Sequence, residues 1–145
     1  MPDLSERDEL KIDILAEEGN VLLEDTRDWS GALDKWKQAL NLVPDPKVAH
    51  TQSMWLYASI GEAYACGNKP DDAKDAFETA YKCPDGHINP YILLQLGKLN
   101  ADLENEDLAT KYLLRAYMIE GASMFEDDMA YLDYLSKRVG LKSAL

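Results

Sequence analysis

Residues 61–80 read GEAYACGNKPDDAKDAFETA, and the frame Gly61-x2-Tyr64-x8-Ala73-x3-Phe77-x2-Ala80 runs through them. Gly67-Asn68 stops one helix and Pro70 opens the next, so the stretch reads as two helices joined by a short turn. The frame returns 36 residues on as Gly97-x11-Ala109-x3-Leu113-x2-Ala116. Its second half also stands upstream, as Ala32-x3-Trp36-x2-Ala39-x4-Pro44, with Gly19 preceding Ala32 by 13 residues rather than 12. Self-similarity at this period separates a repeat of helical hairpins from an ordinary bundle.

Working outward, helix signals alternate with short turns along the chain, and no run shows the period-two alternation of a strand. The expectation is an all-α fold of seven helices. Ser5 caps a first helix to about Asp25, with Leu10, Ile12, Leu15, Gly19 and Leu22 on its inward stripe. Asp28 caps a second, through Leu33, Trp36, Ala39 and Leu40, that stops before Pro44. Asp45-Pro46 is expected to open a third that passes Trp55, Tyr57 and Tyr64, and the fourth runs from Pro70 to before Pro84. Asn89-Pro90 and Asn105 start the fifth and sixth, and Gly121 ends the latter. The last segment, about 123–139, carries Met124, Phe125, Met129 and Leu132 to cover the final apolar face.

These residues resemble the tetratricopeptide repeat (TPR), in which Leu-Gly and Tyr on a first helix are followed by Ala, Phe, Ala and Pro on a second. Gly and Ala at those places let the two helices of a hairpin approach closely, while Trp36, Phe77 or Leu113, between the alanines, fills the layer toward the next helix. The resemblance covers roughly residues 10–120. Asn100 stands where Tyr is usual, and the first two copies are 41 residues apart from Ala32 to Ala73, which implies a lengthened connection over 45–53. The implied architecture is one TPR-like α-α superhelix spanning 1–145. It has hairpins at about 5–43, 45–83 and 89–120 and a capping helix at about 123–139.

Such a stack leaves a concave wall of first helices, and in the family that wall holds another protein. Carried over position by position, the implied protein-binding residues are Asn20 and Glu24, then Trp55 and Glu62, then Tyr91, Leu94, Lys98 and Asp102, with Tyr134 on the last helix. Trp55 and Tyr91 each lie six residues before their glycine, so the pattern sets them side by side as aromatic anchors, although Trp55 also suits a core position. Tyr57, Tyr64, Phe77 and Trp36 match structural places and are expected in the core.

Charge narrows the partner. Fifteen basic residues against 27 acidic ones leave a net −12, and residues 1–34 hold 11 of the carboxylates against Arg7, Lys11 and Arg27. Nucleic acid and anionic lipid are disfavoured, and a basic partner or none is favoured, the acidic amino-terminal stretch reading either as a solvated helix face or as a docking surface. No apolar run approaches the roughly 20 residues of a membrane span, and the amino-terminal residues lack a basic-then-apolar leader, so a cytoplasmic protein is expected. Catalysis and metal binding have little to draw on. Cys66, Cys83, His50 and His87 lack paired ligand spacing, Cys83-x3-His87 has no evident orienting partner, and no phosphate-cradling glycine loop occurs. No catalytic residue, metal or cofactor is expected. Small free-standing bacterial TPR proteins of this acidic kind are similar to members encoded beside polymorphic toxins. The resemblance therefore implies an immunity protein that neutralises a toxin domain, or alternatively a general adaptor or assembly chaperone.

Overall fold

The computed structural model describes residues 4–141 and holds seven α-helices among them, with no strand. They are α1 (Glu6–Thr26), α2 (Trp29–Asn41), α3 (Thr51–Cys66), α4 (Pro70–Lys82), α5 (Pro90–Asp102), α6 (Glu106–Glu120) and α7 (Met129–Arg138). The fold is all-α and TPR-like: α1 packs on α2, α3 on α4, α5 on α6, and α7 follows the third hairpin. The chain forms two compact units, one up to His87 and one from Ile88 onward.

In the first unit the caps act as their residue types require. Ser5 Oγ accepts from the Asp8 amide at 3.1 Å, and Asp28 Oδ1 accepts from the Gly31 amide at 2.9 Å. Ala32, Trp36 and Ala39 of α2 are buried, with Trp36 2 % exposed, and they join Ile12 and Leu23 of α1 and Leu56, Ile60 and Ala63 of α3 in one apolar cluster. Trp36 Nε1 donates to the Ala16 carbonyl at 3.1 Å, so the indole is satisfied where it is buried. In the second hairpin Ala73, Ala76, Phe77 and Ala80 face inward.

The glycines explain how closely the hairpins pack. A Cβ on Gly19 would stand 2.5 Å from Trp36 Nε1, one on Gly61 2.7 Å from the Phe77 ring, and one on Gly97 2.5 Å from Leu113 Cδ2. In every hairpin the first-helix glycine is the socket for the large second-helix residue that the repeat places opposite it.

Three expectations are corrected. The third helix begins at Thr51, not at Asp45-Pro46. Pro46 is extended, and a 3-10 turn covers Lys47–Ala49. Lys47 Nζ donates to the Val43 carbonyl at 2.7 Å and pairs with Asp45 at 3.5 Å, so these local bonds close the connection on itself, and its 3-10 turn packs against α3 and α4 instead of starting α3. The inward face of α1 is Ile12, Gly19 and Leu23, whereas Leu10 is 61 % exposed. In the second unit a 3-10 turn, Ala122–Phe125, precedes a shorter α7. There Phe125, Leu132 and Leu135 are buried while Met129 is exposed.

The third hairpin starts as its sequence indicates: Asn89 Oδ1 accepts from the Ile92 amide at 3.1 Å, with Pro90 in the first turn. Asn105 sits at the start of α6 but caps nothing. Its Nδ2 donates instead to Asn100 Oδ1 at 3.1 Å, and Asn100, fully buried, donates to the Leu96 carbonyl at 2.7 Å.

Candidate protein-binding faces

In the first unit the expected binding residues lie on α1 and α3, the first helices of their hairpins. Trp55 is 56 % exposed, a large fraction for a tryptophan in a packed helical unit. Its neighbours in sequence, Met54 and Leu56, are buried, so α3 is anchored on either side while the indole stands out from it. Glu62, two turns along α3, is exposed, as is Glu24 on α1. Asn20 is half-buried and its Nδ2 reaches Glu17 Oε2 at 3.4 Å.

The aromatic residues matched to structural places divide. Phe77 and Trp36 are core, 1 % and 2 % exposed. Tyr57 and Tyr64 are half-buried and line an open groove of about 290 Å³ with Lys37, Asp72 and Asp75, and the Lys37 ammonium lies 5.6 Å from the centre of the Tyr64 ring. Burial, with the nearby Cys83 and Asp45, raises the Tyr57 phenol above its ordinary value.

In the second unit the expected residues meet a different fate. Tyr91 is half-buried, and Leu94 is only 5 % exposed, so Leu94 is removed from the candidate contact surface. Lys98 and Asp102, one turn apart on α5, are both held by the α7 segment. Lys98 Nζ pairs with Asp128 at 2.8 Å and lies 5.5 Å from the centre of the Tyr131 ring. The Tyr131 hydroxyl donates to the Asp102 carboxylate, 2.8 and 2.9 Å from its two oxygens. Burial, that hydrogen bond and the charges of Asp102 and Asp128 push the Tyr131 phenol up to about 12. Tyr134 lies under the Arg138 guanidinium at 3.6 Å, and Arg138 in turn bonds Glu106 at 3.0 Å. The α7 clasp thus uses residues that the repeat pattern assigns to a ligand. No local sequence signal reveals it, because Asp128 and Tyr131 lie about 30 residues from their partners.

Both cysteines are free, and Cys83 is buried with its Sγ donating to the Thr79 carbonyl at 3.5 Å. Burial pushes its thiol up to about 11, away from the thiolate a nucleophile needs. Cys66 is exposed and receives an Arg27 contact at 3.8 Å. Among the described residues no group of three or more His, Cys, Asp or Glu side chains is arranged to hold a metal ion. No helix of the described residues is long and apolar enough to cross a membrane.

No protein-family model matches the chain, and no curated protein is similar to it in sequence. Solved structures are similar in fold. Two crystal structures of MamA, a TPR-like protein, each superpose with a TM-score of 0.64. One is 17 % identical and covers 87 % of this chain and 75 % of its own; the other is 16 % identical and covers 91 % and 75 %. At such identity the likeness is one of fold.

Proposed function

We propose that this chain is a non-catalytic adaptor that grips a polypeptide of a larger assembly through the first-helix faces of the two hairpins of its first unit, with Trp55 as the principal anchor. The exposure of Trp55 carries this reading. A tryptophan held out of a packed helix costs apolar surface in water, and burying it against a partner recovers that loss. Glu62 on α3 and Glu24 and Asn20 on α1 supply polar contacts in the same unit as the anchor. Lys98, Asp102 and Tyr134 would be available only where the α7 clasp opens. The acidic surface suits a basic partner and speeds its encounter. Nothing in the fold singles out a toxin as the ligand, so the adaptor reading takes precedence over immunity.

The experiment is affinity capture with the wild-type chain and Trp55→Ala as parallel baits. The expected result is a subunit of an assembly retained by the wild type and lost by Trp55→Ala. Equal retention by both baits would remove Trp55 from the binding role, and a toxin domain as the captured protein would restore the immunity reading.

A further inference from the structure

The outer side of α1 carries a second surface, on which Leu10, Ile14 and Val21 are 61, 53 and 45 % exposed. At about 100° per residue these three and Glu17 fall on one stripe, and from Leu10 to Val21 it runs about 16 Å, three turns of helix. Ile14, Val21 and Leu22 line an open groove of about 490 Å³ whose rim is Glu17, Glu18 and Lys35. Lys35 is already engaged with Glu18 at 3.8 Å, which leaves the Glu17 carboxylate as the unneutralised charge of that rim. Around it, α1 carries eight carboxylates against two bases.

We infer that this α1 groove docks a basic amphipathic helix of a partner protein; Trp55, on α3, is not one of its residues, while Asn20 and Glu24 adjoin it on α1. Apolar side chains of the incoming helix would cover Leu10 and Ile14 at one end and Val21 and Leu22 at the other, while a Lys or Arg between them meets Glu17 and Glu18. This is helix-in-groove recognition with electrostatic selection of the partner. A second copy of the chain fits poorly, since it would set two sets of α1 carboxylates against each other, and an anionic membrane is repelled for the same reason.

The test uses the full chain and a labelled synthetic helix of about four turns, with Leu along one stripe and Lys beside it, read by fluorescence anisotropy. The wild type should bind the Lys helix and not its Glu counterpart. Ile14→Asp with Val21→Asp should weaken binding at least about tenfold, equivalent to roughly 1.4 kcal/mol. Both positions are exposed, so circular dichroism and melting temperature should stay as in the wild type. Met118→Ser, which removes an exposed apolar side chain from α6, should leave the affinity unchanged. Glu17→Lys with Glu18→Lys should reverse the preference towards the Glu helix. Equal affinity for both helices, no loss in the Ile14 and Val21 variant, or a dimer in sedimentation that the same variant dissociates would each overturn the inference. The Trp55 adaptor reading would stand in any of these cases, since its capture experiment reads the loss of Trp55, which lies on α3 outside this groove.

Discussion

A methyl group on Gly61 would stand 2.7 Å from the Phe77 ring, and a flat ring wedged between two helices cannot swing aside as a flexible chain end can. Gly61→Ala should therefore lower stability by about 1–3 kcal/mol, read as a lower denaturant midpoint at an unchanged slope. The recurrence of the glycine and of the large residue at fixed spacing was legible in the sequence, whereas their direct contact across the hairpin was not, since the spacing alone assigned the large residue to the layer toward the next helix. What replaces the tyrosine at Asn100 was not legible either. Its amide is satisfied by the Leu96 carbonyl and the Asn105 side chain, a three-dimensional solution that no spacing encodes. Trp55 shows the same limit from the other side. Its position in the repeat was readable, but anchor and core remain equal readings until burial of its neighbours and exposure of its own ring are known.

Helix existence followed from caps and periodicity, whereas element edges and faces followed from contacts. The Asp45-Pro46 pair has the composition of a helix start, yet Lys47 bonds back to Val43 and Asp45 within the connection and α3 waits until Thr51. On α1 two apolar stripes coexist, and only packing decides that Ile12, Gly19 and Leu23 go inward while Leu10, Ile14 and Val21 face solvent. At this scale the α7 clasp makes its own prediction. An unfolded tyrosine ionises near 10, whereas Tyr131 in the fold ionises at about 12. Below about pH 10 both states keep the proton and the contribution of the clasp is full. As pH rises from there through about 12, the unfolded chain releases a proton that the folded chain retains, and stability falls. Urea midpoints followed over that window should drop more steeply for the wild type than for Tyr131→Phe, which has no phenol to titrate. Equal slopes would show that the Tyr131–Asp102 hydrogen bond does not hold the proton in solution.

For the molecule as a whole, composition and self-similarity were enough to reach an all-α, TPR-like fold, and the structural likeness to MamA agrees with that fold. The net charge of −12 argues against phosphate-rich partners, but it could not choose a face. That choice depends on which side chains remain in water after packing, and Trp55 is the large aromatic residue that packing leaves most open in the first unit. The central claim is that this residue holds a partner polypeptide, and calorimetric titration of the captured partner into wild type and Trp55→Ala, with melting temperatures measured beside it, tests it most directly. An anchoring Trp55 gives a dissociation constant about 30-fold weaker for the variant, roughly 2 kcal/mol, with an unchanged melting temperature. An unchanged dissociation constant, or a fall in melting temperature with affinity intact, would contradict it.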